Sequence, residues 1–249
     1  MVWFRSLLFQ GYFYASVCLH ALAIVVLFFM PDPCLFGIAK LWARGMLFVG
    51  KHLCGLDYVI EGRENIPDQP SVIMIKHTTA FETYAQIAVF PPQTWVLKRE
   101  LLWIPIFGWG LAAVKPIAIN RGAGHHAVQQ VIEKGNARLK DGIWVTIFPE
   151  GTRMPLGQTR RSGISGAALA CRAQVPVVPV AHNAGDLWPR RGLRKKPGLI
   201  RFCIGPPIHP GDTPAKELNL VVQAWVEDKM REISVGYADA PGDGARSSD

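Results

Sequence analysis

The chain has 249 residues, a formal net charge of +8 and a pI near 9.4. Charged residues are only 18% of it, against about 25% in an ordinary soluble domain, while hydrophobic residues reach 49%. The basic balance selects anionic partners, nucleic acid being the weaker option because no helix-turn-helix, zinc-finger or RNP-like pattern occurs; five cysteines (18, 34, 54, 171 and 203), an odd count with no CxxC, argue against a disulfide framework or a zinc site.

Residues 6–30, SLLFQGYFYASVCLHALAIVVLFFM, contain no Asp, Glu, Lys or Arg. As a helix they are long enough to cross a hydrocarbon core of roughly 30 Å. The stretch is too long for a signal peptide, and no A-x-A cleavage site follows it. Pro31-Asp32-Pro33 then breaks the helix. The segment 34–56 is apolar but carries Lys40, Arg44 and Lys51, which suits an amphipathic interfacial helix. Two arrangements stay open: the first helix spans a membrane, or the pair forms a hairpin embedded in one leaflet. The basic residues beyond the first helix, with the basic body, favour an inner (cytoplasmic) membrane with the catalytic domain facing the cytoplasm.

From residue 56 short apolar runs alternate with helical periodicity. Strands are expected at 56–62, 71–76, 93–98, 114–120, 143–149, 175–183 and 198–208. Helices are expected at 79–90, ending before Pro91-Pro92, and at 125–142, 164–174 and 214–234. Segment 99–113, RELLWIPIFGWGLAA, carries no clear period. This order predicts an α/β domain, a mixed sheet flanked by helices, behind a two-helix hydrophobic membrane anchor. The divisions are 1–56 for the anchor, 57–235 for the catalytic domain and 236–249 for a Gly-, Asp- and Ser-rich disordered tail. Basic loops at 160–161 and 190–196 suit solvent or anionic headgroups alike.

Three polar clusters follow apolar strands, where α/β folds place ligands. The first is His77 with Glu82 five positions on. Glu82 can accept from one ring nitrogen and leave the other for a substrate proton. The same spacing fits a capping box, with Thr79 as N-cap and Glu82 at N3, and the two roles can coexist. The second is Asn120-Arg121. The third is the FPEGTR run, 148–153: an acid between a proline and a glycine, then an arginine able to grip a phosphate bidentately. Gly151 would permit close backbone approach. Lys98 ends another strand and can join an anion site. There is no G-x-S-x-G, P-loop, GxGxxG or H-E-x-x-H.

In order, KHTTAFE, VLKRELLWIPIFGW, PIAINR, FPEGTR and VPVVPVAHN resemble the motifs of the glycerophospholipid acyltransferase family, over roughly residues 57–210. The family's first motif is H-x4-D; here it reads His77-x4-Glu82, with the charge kept and one methylene added. The resemblance implies that His77 is the general base on a lysophospholipid hydroxyl and that Glu82 orients it. It implies that Lys98, Arg121, Glu150, Gly151, Thr152 and Arg153 bind the glycerol phosphate. The acyl donor would be a thioester, acyl-CoA or acylated acyl carrier protein, with no cofactor and no metal. The implied reaction is acylation of the sn-2 hydroxyl of lysophosphatidate to phosphatidate, with membrane lipids as surroundings. Another lysolipid acceptor, such as a lyso-ornithine lipid, and an inactive lipid-binding scaffold are the alternatives.

Overall fold

A computed structural model describes residues 1–238 apart from Arg121, Ala123 and Arg191. Two long helices come first, α1 (Val2–Val26) and α2 (Asp32–Cys54); the break falls at 27–31 and Pro33 sits in the first turn of α2, which starts two residues before the expected segment. α2 buries Leu35, Ala39, Ala43, Met46, Leu47, Gly50 and Cys54, a stripe at helical spacing. Gly55, at φ 68, ends it in the left-handed conformation and hands the chain directly to the first strand.

The sheet has seven strands: β1 (Leu56–Glu61), β2 (Val72–Ile75), β3 (Gln93–Lys98), β4 (Ile117–Ile119), β5 (Trp144–Ile147), β6 (Val177–His182) and β7 (Gly198–Ile204). Their order is β1-β7-β6-β2-β5-β3-β4, parallel throughout except for the β6–β7 pair. The expected mixed sheet is therefore present. The other helices are α3 (Phe81–Val89), α4 (Phe107–Ala113), α5 (His125–Lys140), α6 (Ser165–Ala173), α7 (Ala184–Leu187), α8 (Ala215–Ile233) and α9 (Val235–Ala238). Segment 99–113 consists of a 3-10 turn, Arg99–Trp103, followed by α4.

Strands β2, β5 and β6 are buried along their whole length, which is why they read as mostly apolar runs. Successive side chains still face opposite layers. Ile73 and Ile75 join Leu47, Phe81, Tyr84 and Phe202 on the side of α2 and α3. Val72 and Met74 join Val131, Leu169 and Val222 on the side of α5, α6 and α8.

Residue 56 is not a packing boundary. Ala43, Met46, Leu47 and Cys54 of α2 belong to the same core as β2, β6 and α3. At one end of the hairpin, the Ser6 hydroxyl accepts from the Lys195 N–H at 2.9 Å, and Phe9 meets Trp188 edge-on at 5.6 Å. At the other end Asp32 pairs with Lys115, and Gly110 of α4 lies against Ala21 so closely that a Cβ there would come within 2.8 Å of the Ala21 Cα. Both ends of the hairpin thus touch the body, and the helices lie along it instead of projecting from it. The first residues of the expected tail are ordered into a helix. Residues 236–238 belong to α9, where Tyr237 is buried and its hydroxyl donates to the Gln158 carbonyl at 2.7 Å. Residues 239–249, the rest of that expected tail, lie outside the described residues.

Candidate active site

Strands β2 to β6 run in the same direction, so their carboxyl ends share one edge of the sheet. Across that edge, in order, come His182 at the end of β6, His77 after β2, segment 148–153 after β5, Lys98 at the end of β3 and Asn120 after β4. Parallel pairing therefore collects the polar clusters that the sequence separates. Arg121 lies outside the described residues.

The first cluster is built by the turn into α3. His77 Nδ1 is 2.8 Å from Glu82 Oε1. The same oxygen accepts the N–H groups of Thr78 at 2.9 Å and Thr79 at 2.8 Å, while Oε2 accepts the Thr79 hydroxyl at 2.6 Å. Glu82 thus closes the loop and orients the imidazole with one carboxylate; cap and dyad are one arrangement. The helix is assigned from Phe81, with Ala80 as its flanking residue, yet the capping bonds are those expected of Thr79: its hydroxyl accepts the Phe81 N–H at 2.9 Å while Glu82 reaches back to the Thr79 N–H. An acceptor facing Nδ1 fixes the Nδ1–H tautomer and leaves Nε2 unprotonated, the form a base needs.

Burial pushes the Glu82 carboxyl up, but the facing His182, the hydrogen bond and charge of His77, and the Thr79 hydroxyl together hold it down at about 2. His182 stands 3.5 Å from Glu82 Oε2; its Nε2 donates to the Lys76 carbonyl at 2.8 Å and its Nδ1 accepts from the Ala184 N–H at 3.4 Å. Burial pushes that imidazole down, against the pull of Glu82 and the Lys76 carbonyl.

An acid-stability prediction follows from the sign. A carboxyl depressed in the folded state stabilises it above the unfolded pKa and loses that contribution as pH falls through the folded one. From 4.5 to about 2 the difference is about 3 kcal/mol. Urea melts between about pH 5 and pH 2 should show this loss, and Glu82→Gln should remove that part of the slope. Equal slopes in both proteins would place the carboxylate outside this network.

The FPEGTR segment packs against His77 on two sides. The Phe148 ring stacks on the imidazole, with centroids 4.1 Å apart and planes 29° apart, and the Met154 N–H donates to the His77 carbonyl at 2.7 Å. Gly151, at φ 69, makes a turn that a side chain would strain, and the space a Cβ would take there is open. Arg153 is exposed, and Gly151 and Thr152 are half-buried. Lys98 is exposed, 3.5 Å from Glu100.

Glu150 departs from its expected place beside a substrate. Its side chain turns inward, and Oε1 lies 3.3 Å from the ammonium of Lys76, a fully buried lysine that also reaches Glu227 Oε1 at 2.7 Å. A buried cation needs carboxylates, and Glu150 is one of them. Sequence reasoning passed over Lys76 and His182; a polar residue at the end of a wholly apolar strand, the signal that picked out His77, marks both. Among the described residues no three His, Cys, Asp or Glu side chains converge as metal ligands.

The acyltransferase family matches residues 45–183, more than half of the chain. A 1-acyl-sn-glycerol-3-phosphate acyltransferase of Pseudomonas aeruginosa is 45% identical over 200 residues, 79% of this chain and 78% of that protein. The chain belongs to the acyltransferase family. A human relative, 1-acyl-sn-glycerol-3-phosphate acyltransferase alpha, is 29% identical over 180 residues, covering 69% of this chain and 64% of its own length. The crystal structure of a 1-acyl-sn-glycerophosphate (LPA) acyltransferase from Thermotoga maritima shares the fold, with a TM-score of 0.77 at 24% identity over 93% of this chain and 97% of that one. The acyltransferase match includes both histidines and the FPEGTR loop and ends at residue 183, before α8 and α9.

Proposed function

We propose that this acyltransferase moves an acyl group from a thioester to the sn-2 hydroxyl of lysophosphatidate, giving phosphatidate. The observation that carries the reading is the His77–Glu82 pair, 2.8 Å apart and clasped by segment 148–154. Unprotonated Nε2 takes the hydroxyl proton as the oxygen attacks the thioester carbonyl carbon. A C–O bond forms, the C–S bond breaks, and the proton passes from His77 to the departing thiolate. The buried carboxylate stabilises the imidazolium formed in between. A thiolate leaves readily, so neither a covalent acyl-enzyme nor a cofactor is required. Acyl-CoA and acylated acyl carrier protein are both anionic donors that suit the +8 chain.

Arg153 and Lys98, with the turn at Gly151 and Thr152 and with Arg121, are the candidate phosphate ligands. Lys98 lies two strands from His77 on the same edge, about 10 Å at ordinary strand spacing. That span suits an acceptor whose phosphate and reacting hydroxyl sit on one glycerol.

The same reading assigns α1 and α2 to one leaflet of an inner membrane, with the catalytic body on the cytoplasmic side. Each helix is long and apolar enough to cross a membrane. Yet the hairpin is held to the body at both ends, and its outward side exposes Phe4, Leu7, Leu19, Leu41 and Phe48. Trp109 of α4, which packs against α1, and Trp103 in the turn before it are exposed as well. A hairpin lying flat with its apolar side in the acyl layer brings the site to where acceptor and product reside.

The test is an assay of purified protein with lysophosphatidate and each donor, beside His77→Ala. The variant should lose about 10²–10⁴-fold in kcat. Arg153→Ala should raise KM for lysophosphatidate and leave a phosphate-free lysolipid unaffected. Transfer by His77→Ala at the wild-type rate would refute the mechanism.

A further inference from the structure

Lys76 immediately precedes His77, and its ammonium is fully buried. Its surroundings come from distant parts of the chain. Nζ lies 2.7 Å from Glu227 Oε1 on α8, 3.3 Å from Glu150 Oε1 in the FPEGTR loop, and 5.1 Å from the ring centroid of Tyr237 on α9. The second oxygen of Glu227 accepts the Thr159 hydroxyl at 2.6 Å, and the Tyr237 hydroxyl donates to the Gln158 carbonyl at 2.7 Å. α8 and α9 therefore hold the 158–159 end of the loop directly and its Glu150 end through Lys76.

These contacts bear on the imidazole through the backbone. Successive side chains at a strand end point to opposite faces. Lys76 points toward α8, so His77 points toward Glu82 and α3. Fixing one side chain fixes the orientation from which the other departs. Glu150 likewise lies between Phe148, stacked on the imidazole, and exposed Arg153. The Lys76 carbonyl accepts from His182, and the His77 carbonyl accepts from Met154.

Stability alone is a poor reason for this cluster. Replacing a buried ion cluster by apolar side chains of similar volume is often neutral or stabilising. Here one oxygen of Glu150, Oε2, is buried with no hydrogen-bond partner among the described residues. Burial pushes Glu150 upward, and Glu150, Tyr237 and Glu227 keep Lys76 charged against its own burial.

We propose that Lys76, Glu150, Glu227 and Tyr237 form a positioning cluster by which α8 and α9 set the two loops around His77. The inference rests on the transferase reading above and adds to it residues outside the span matched to the acyltransferase family. Lys76 is a positioning residue, acting through His77 and the FPEGTR loop.

The experiment uses the full chain with Glu227→Leu, which removes the acceptor for Nζ, and Glu227→Gln, which keeps one. Melting temperature, kcat, KM for lysophosphatidate and hydrogen exchange across residues 148–160 are read on each. Well below its melting temperature, Glu227→Leu should lose about 10–100-fold in kcat, the scale of a small misplacement of catalytic groups. Exchange in 148–160 should quicken, and Glu227→Gln should keep most of the activity. In a Lys76→Met background Glu227→Leu should cost much less than in the wild type, since of its two contacts, Lys76 and Thr159, the first is already gone. Should Glu227→Leu fail to fold, Tyr237→Leu carries the same test from α9. Wild-type kcat and exchange in a folded variant, or losses that simply add, overturn the cluster. A wild-type protein that acylates no lysophosphatidate would instead refute the transferase reading, and the exchange data would still decide the positioning.

Discussion

Glu82→Gln is expected to fold normally and to lose about 10²–10⁴-fold in kcat, the usual contribution of a positioned acid–base group. Glutamine is nearly isosteric with glutamate. Its carbonyl oxygen can take the place of Oε1 and keep the bonds from His77 Nδ1, Thr78 N–H and Thr79 N–H. Its amide can take the place of Oε2, where the Thr79 hydroxyl turns to accept instead of donate. The loop stays closed and the tautomer stays fixed. What is lost is a negative charge in a fully buried position, where low polarisability makes it strong. That charge matters once His77 carries the substrate proton, so the loss should fall on kcat and leave KM nearly unchanged. Steady-state kinetics with a thermal melt of the same sample separates the two effects. A near-normal kcat would leave Glu82 as a loop-closing group only.

The identity of residue 82 shows what spacing alone can and cannot tell. The interval from His77 to Glu82 gives a turn into a helix, and both readings of the pair survive in the structure. The helix is assigned from Phe81, and the Thr79 hydroxyl caps it by accepting the Phe81 N–H. From there the carboxylate must reach back to two amides and a histidine and also face His182. The extra methylene of glutamate supplies that reach.

The strands were legible because β2, β5 and β6 are short, mostly apolar runs, and the edge was legible because parallel strands bring their polar ends together. Lys76 and His182 were not, since their roles depend on partners 151 and 106 positions away. Glu150 was misread because an acid beside a glycine turn looks the same whether it faces solvent or a buried ammonium. Two basic residues of α2 also have contacts that the sequence hid. Lys40 donates to the Phe90 carbonyl at 3.3 Å and Lys51 pairs with Asp57 at 2.8 Å, so both serve the body, not only an interface.

That integration of α2 leads to the second large effect. A chain lacking residues 1–55 is expected to be insoluble or unfolded, although the sequence reads as an anchor joined to a separate domain. Leu35, Phe36, Met46 and Leu47 of α2 are all buried. Side chains of this kind contribute roughly 1.5–3 kcal/mol each, so the four together are worth roughly 6–12 kcal/mol. A domain's whole stability is about 5–15 kcal/mol. Removal would also uncover Phe81, Tyr84 and Phe202, which share that core. The outward face should behave differently. Leu41 and Phe48 are 65% and 62% exposed, so Leu41→Ser with Phe48→Ser should weaken sedimentation with lipid vesicles and leave the melting temperature unchanged. If the truncated chain were instead soluble and melted cooperatively, α2 would be an appendage and its buried stripe dispensable. If the double serine variant unfolded, the exposed face would belong to the core. With both outcomes as expected, one helix does two jobs on two faces: its inner stripe completes the fold, and its outer stripe sets the site at the lipid surface.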